Sequence, residues 1–281
     1  MNNLPALFLS HGSPMTALEP GPATAFMARL GPTVDATFGR PRAVLAVSAH
    51  SLAREPVLLA AAQHATVHDF SGFPPALYEL RYDAPGAPEL ARRAAGLLHA
   101  AGITAHVLDQ GGLDHGIWTP LRFAWPAADI PVLPLAFPPD WSPQRLFDMG
   151  QALAPLADEG VLVLGSGSIT HNLRRVFGAG RPERDAPEVE PCAGFRHWFA
   201  DRAWAADWEA LFDYRRQAPH ALDMHPSDEH LLPWYVAAGA GGRGAPARRL
   251  HASVTYGCLG MDGYGFGARL AALEQALAAA A

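Results

Sequence analysis

The chain has 281 residues, 49% of them hydrophobic and 17% charged, with a formal net charge of -6. That is the make-up of a folded protein, and its acidic balance gives no electrostatic reason to expect a nucleic-acid partner. No stretch reaches the roughly 18 consecutive apolar residues of a membrane-spanning helix. With only two cysteines, Cys192 and Cys258, a disulfide scaffold is excluded and a reducing compartment is expected. The opening PALFLSHGSP has no basic leader or cleavage site, so a cytoplasmic location is expected. Arginine greatly outnumbers lysine, which we read as a compositional habit of the source.

In chain order, short apolar runs at residues 4–9, 43–48 and 56–60 predict buried strands, because they are continuous rather than alternating. A helix is predicted over 87–101, ending at Gly102, followed by strands over 104–108 and 130–136. A second helix over 143–159 ends at Gly160 and leads into a strand over 160–165. Residues 178–187 read as a loop, 191–214 as one helix, and the glycine-rich run 239–249 as a surface loop. A strand over 250–258 and a surface helix over 267–281 close the pattern. Strands alternating with helices predict an α/β fold: a single domain over 1–281, with a central predominantly parallel or mixed sheet flanked by helices. There is no internal repeat, and no GxGxxG opens a helix after a strand. GSGSITHN lacks the lysine and spacing of a phosphate loop.

Thirteen histidines are present, and of the four most informative, three follow or lie near predicted strands. His11 follows LFLS and precedes Gly-Ser-Pro. His50 closes AVLAVSAH, and His171 lies beyond the buried run LVLGSGS. His230 stands in the polar cluster His225, Asp228, Glu229, His230, where the acids also suit a helix start. Ligands of open α/β sheets sit beyond the carboxyl ends of strands, and convergent imidazoles from distant points build a divalent metal site. Glu229 and His225 suit ligation or the orientation of ligands. His115, in GGLDHGIW, is a candidate for proton transfer against a plain loop residue. His68 and Asp69 form a possible polar pair at the rim, and Phe70, Phe73 and Tyr78 a possible aromatic lining. The remaining histidines are expected at the surface or in packing. No GxSxG elbow supports a serine nucleophile.

These blocks together resemble the class III extradiol ring-cleaving dioxygenases, in the branch of the DOPA dioxygenases. The resemblance rests on PALFLSHGSPM, VLAVSAH, VHDFSGFPPALYELRYDAPG, GGLDHGIWTPL, DIPVLPLAF, GSGSITHNL, HPSDEHLLPWYVAAGA and YGCLGMDGYGFG, in family order across nearly the whole chain. It implies His11, His50 and His230 as metal ligands, with Glu229 as an alternative third ligand. It also implies His115 and His171 as the acid/base pair. The implied activity is Fe(II)-dependent extradiol cleavage of a small-molecule catechol by O2; Zn(II) is possible in purified protein but has no redox function. A zinc-dependent hydrolase using the same histidines is the alternative reading, and a binding or metal-storage protein a third. Neither nucleic acid nor membrane is an expected partner, while a homodimer is expected on general grounds. Two positions depart from the family pattern. Ser10 replaces a glycine before HGSP, and Ser51 replaces a tryptophan after SAH, which implies extra room beside the pocket.

Overall fold

The computed structural model describes residues 4–178, 180, 182–244 and 247–280. Among them, the apolar runs form one eight-stranded sheet: β1 (Ala6–Ser10), β2 (Ala43–Ser48), β3 (Val57–Leu59), β4 (His106–Leu108), β5 (Val132–Ala136), β6 (Val161–Gly167), β7 (Arg248–His251) and β8 (Gly263–Phe266). Their spatial order is β4-β3-β5-β2-β6-β1-β8-β7. Strands β5, β2, β6 and β1 run parallel. β3 is antiparallel to β5, and β8 and β7 add antiparallel strands on the other flank. The sheet is therefore mixed, with a parallel centre.

The central strands are buried along their whole length because both faces are covered. Alternate residues point to opposite layers. Phe8, Leu45, Val47, Val161 and Val163 pack with α2 (Pro88–Ala100), α4 (Pro143–Leu153), α5 (Glu190–Trp204) and α6 (Leu232–Gly241). Leu7, Leu9, Val44, Ala46, Leu162 and Leu164 pack with α1 (Pro22–Phe38), α3 (His115–Ala124) and α7 (Leu270–Ala279).

The register places what matters for function. Ser10 of β1 pairs with Gly167 of β6, and Ser48 of β2 pairs with Ser166. Three parallel strands thus finish level, and the segments that follow them leave from one edge. The Ser168 amide donates to the His230 carbonyl (2.8 Å), bringing the 225–231 segment to the same place. A Cβ on Gly167 would lie 2.0 Å from that carbonyl oxygen, so only glycine allows the approach.

Several expectations need correction. The strand expected over 250–258 is two pieces: β7 stops at His251, and Val254–Thr255 pairs with Leu259–Gly260 in a small separate ribbon. The helix expected over 191–214 breaks after Trp204 and resumes as Trp208–Phe212 and Tyr214–Gln217, with Ala206 at a φ of 52°. The helix over 143–159 finishes in a 3-10 turn, Ala154–Ala157. Gly239 and Gly241 belong to α6, not to a loop. A Cβ on Gly239 would meet the Phe147 carbonyl at 1.9 Å, so this glycine serves helix packing. Part of that run (245 and 246) and part of the loop at 178–187 (179 and 181) lie outside the described residues. No helix among the described residues is long and apolar enough to cross a membrane.

Candidate functional site

His11 follows β1, and its amide donates to the Gly167 carbonyl (3.1 Å). His50 lies two residues beyond β2, its amide donating to Ser48 Oγ (3.2 Å). His230 enters from the turn before α6. The ring nitrogens of these three lie within 4.8 Å of one another, and Nε2 of His11 is 3.1 Å from Nε2 of His50.

Their tautomers follow from their partners. Ser166 Oγ gives its one proton to the Gly116 carbonyl. It can therefore only accept from His11 Nδ1, at 3.0 Å, which leaves Nε2 of His11 with its lone pair. Nδ1 of His230 donates to Glu229 at 3.0 Å, so its Nε2 is likewise a bare acceptor. Nδ1 of His50 faces Asp69 at 3.6 Å. Nε2 of His50 therefore stands 3.1 Å from an acceptor nitrogen, a spacing that either a shared proton or a bound cation satisfies. Ligand nitrogens about 2.0–2.1 Å from one ion are themselves about 3 Å apart, so this donor set fits a divalent metal. Burial holds all three imidazoles neutral, as ligation requires. His50 is lowered to about 4 by burial and then by His115. Burial and the neighbouring imidazoles hold His11 and His230 well below the usual histidine range.

His115 is the first residue of α3, not an insertion in a glycine turn; Asp114 caps that helix by accepting from the Ile117 amide (3.2 Å). Its ring centroid is 4.1 Å from that of His50 and 5.3 Å from that of His11. Asp69 accepts from both the amide (2.9 Å) and Nδ1 (3.0 Å) of His115. Burial raises the Asp69 carboxyl, but the bonds from His115 outweigh this and bring it down to about 2. An ionised Asp69 needs the proton on Nδ1, so Nε2 of His115 is free to accept one. His171 stacks on His230 with centroids 3.4 Å apart and planes 9° from parallel. Burial, with His225 beside it, lowers it to about 4.

The five imidazoles border one cavity of about 650 Å³: His50, His115, His171 and His230 line it, and His11 lies just beneath, 1% exposed. Its wider walls include Phe70, Phe73, Leu173, Val176, Phe177 and Leu259, with Asp69 and Glu19 as its carboxylates. Tyr78 is not in the lining but stands behind Phe70, at 5.4 Å between centroids. His68 and Asp69 are not a pair: His68 donates to the Leu80 carbonyl (3.1 Å) while Asp69 turns to His115. His225 does not reach the cavity; fully buried, it donates from Nε2 to the Ile169 carbonyl (2.7 Å) and so braces the turn carrying His171. Ser51 is not in the lining either, contrary to the expectation of added room. Its hydroxyl donates to Asp114 (2.6 Å), as does that of Ser48 (2.6 Å). Burial raises the Asp114 carboxyl against those two bonds. The roles of Ser166, Asp69 and Asp114 were not readable beforehand, since each acts on a residue dozens of positions away.

The model of the catalytic LigB subunit of aromatic ring-opening dioxygenase matches residues 5–267. A 4,5-DOPA dioxygenase extradiol of Beta vulgaris is 36% identical over 261 residues, 92% of this chain and 95% of that protein. One from Escherichia coli K12 is 38% identical over 240 residues, covering 84% of this chain and 85% of its own. The crystal structure of an uncharacterized Escherichia coli K12 protein superposes with a TM-score of 0.74 at 30% identity, over 94% of this chain and all of that one. The likeness spans every strand that delivers a histidine to the cavity, and the chain belongs to the LigB family of aromatic ring-opening dioxygenases, as an extradiol ring-cleaving enzyme acting on catechol-like substrates.

Proposed function

We propose that residues 1–281 form one catalytic domain that opens a catechol-type ring with O2 using Fe(II). In this reading His11, His50 and His230 hold the metal, and His115 and His171 move protons. The observation that carries it is the set of three imidazoles, His11 and His230 buried and His50 half-buried, whose ring nitrogens converge on one point, with Nε2 of His11 and of His230 left as acceptors. Bound iron would supply the electron transfer between ring and dioxygen that zinc, which fits the same nitrogens, cannot. Glu229 orients His230 rather than replacing it, since its carboxylate is engaged on the far nitrogen.

The chain's own groups account for binding and proton movement. Phe70 and Phe73 offer apolar faces to an aromatic ring. Nε2 of His115 takes a hydroxyl proton from the catechol, while Asp69 stabilises the imidazolium so formed. His171, on the His230 side of the cavity, is the second group placed to exchange a proton. Two buried free thiols, Cys192 and Cys258, suit a reducing compartment such as the cytoplasm.

The test is anaerobic loading with Fe(II), then oxygen uptake and absorbance on a set of catechols. Stoichiometric uptake with a yellow ring-opened product is expected, with Zn(II) competing and supporting no turnover. His50→Ala should lose the metal, whereas His115→Phe and His171→Phe should keep it and cleave slowly. Ring cleavage by Zn(II) protein rigorously free of iron would overturn the redox assignment. Full metal content in His50→Ala would remove that ligand from the set.

A further inference from the structure

The outer part of the cavity has a charge pattern that the ring-cleavage chemistry does not use. Of the two carboxylates in the lining among the described residues, Asp69 is engaged by His115. Glu19, which follows the 3-10 turn Pro14–Ala17, is not engaged in this way. Its carboxylate is one-third exposed, and its charged neighbour, Nε of Arg184, stands 3.6 Å away. The hydrogen bonds of Arg184 go to the backbone carbonyls of Glu19 and Pro20; Arg184 and Glu19 both line the adjoining cavity, and of the two Glu19 also lines the histidine cavity. Among the described residues no arginine lines the histidine cavity, and the sequence contains no lysine. The remaining outer wall is mostly aromatic and aliphatic, with Phe70, Phe73, Leu173 and Val176, and has Ser13 and Ser71 as uncharged polar groups.

We infer that this cavity selects catechols whose side arm ends in an ammonium group over those whose arm ends in a carboxylate, and that Glu19 reads the difference. The inference rests on the ring-cleavage reading above. At about 650 Å³ the cavity has room for a catechol with an arm rather than a bare ring. The catechol end is fixed at the histidines, so the arm points away from them, toward the outer wall. There an ammonium group meets the Glu19 carboxylate, whose ion pair with Arg184 is one-third exposed, and the rings of Phe70 and Phe73, both favourable to a cation. A carboxylate arm meets the same Glu19 as a like charge and has no lining guanidinium among the described residues to answer it. An arm bearing both groups, as in an amino acid, gains at one end what it loses at the other and falls between the two.

The test compares three catechols of matched size: 4-ethylcatechol, 4-(2-aminoethyl)catechol and 3-(3,4-dihydroxyphenyl)propanoate. Relative kcat/KM is measured on Fe(II) enzyme, and dissociation constants anaerobically on Zn(II)-loaded protein. The amine should exceed the propanoate by about tenfold or more in both. Glu19→Gln should shrink that ratio about fivefold, and 0.5 M salt should shrink it in the parent but little in the variant. Arg184→Gln, which removes the partial neutralisation, should widen it. A preference for the propanoate that disappears in Arg184→Gln would overturn the inference and make Arg184 the reader of a carboxylate. An amine-to-propanoate ratio unchanged in Glu19→Gln would overturn it as well. If none of the three is cleaved, the ring-cleavage reading fails while the binding ratios still decide the role of Glu19.

Discussion

Asp69 illustrates how much of this site depends on single atoms. One carboxylate oxygen accepts from the His115 amide, and the other lies 3.0 Å from its Nδ1 and 3.6 Å from that of His50. Asp69→Asn presents an amide that cannot stabilise an imidazolium and can be oriented with its NH2 toward Nδ1. Ring-cleavage kcat is expected to fall about 100-fold, the lower end for loss of general acid–base assistance. Metal content, measured by elemental analysis, should stay near one per chain. Metal loss equal to that of His50→Ala would instead show that Asp69 serves the metal set. At this scale the sequence was partly legible. Glycine and serine around His11, His50 and His171 marked them as unfit for packing, and the family resemblance assigned their roles. Asp69 was noticed only as a neighbour of His68, because its true partner is 46 positions away. Ser51 misled in the opposite sense: the change from the family's tryptophan suggested space, whereas the hydroxyl is taken up by a buried carboxylate.

At the scale of elements, the site exists because β1, β2 and β6 end in register, and because the end of β6 admits the backbone of residue 230. Gly167→Ala pushes a methyl group into the His230 carbonyl and should displace that residue from the other two imidazoles. We expect a loss of about 1–3 kcal/mol in stability, the usual cost of overpacking. Fe(II) or Zn(II) affinity should drop by more than tenfold. Urea denaturation and metal titration check the two arms, and parent-like affinity in a destabilised variant would separate the packing of Gly167 from ligand placement. Those strands were the legible ones, since continuous Leu and Val runs leave little choice. α1 was not identified because Gly31 and Pro32 interrupt its interior; Gly31 is needed where a Cβ would lie 1.8 Å from the Ala124 carbonyl. β8 reads GYGF, a composition that suggests turns, yet it pairs with β1 along four residues. Close packing favours glycine in both, against the Ala124 backbone at Gly31 and against the Phe26 and Leu270 side chains at Gly263 and Gly265, and glycine in a sequence suggests the absence of regular structure.

For the whole molecule, the concentration of buried neutral imidazoles sets the response to acid. His50, His171 and His225 are each lowered to about 4, burial being the main cause in all three. In the unfolded chain they titrate near 6.5. Between those values the unfolded state binds more protons than the folded one, so stability rises with pH. The metal-free protein should therefore hold full stability above about pH 6.5 and lose it progressively toward pH 4, by several kcal/mol in all. Asp69 contributes mainly below that window, since the stability added by its depressed carboxyl is lost as pH falls from about 3.8 toward 2. Urea midpoints of metal-free protein from pH 7.5 to 4.5 measure the effect. A flat profile would show that these rings are accessible to protons in the folded state. Added metal should raise the midpoint at every pH where it binds, because it binds only the folded arrangement.

The position of β1 in the sheet also governs how the chain can be made. β1 spans Ala6–Ser10, yet its two neighbours are β6, at Val161–Gly167, and β8, at Gly263–Phe266. On a ribosome β1 must wait for about 150 residues before one edge can pair and about 250 before the other can. Until then LFL is an unpaired apolar edge, the kind of segment that associates with other chains. Since His11 is fixed by the closure of β1 into the sheet, β8 completes the support of a histidine about 250 residues before it. A nascent chain cannot assemble the three-histidine cluster early and fold around it; on the proposed reading, an ion could be captured only after β8 has emerged.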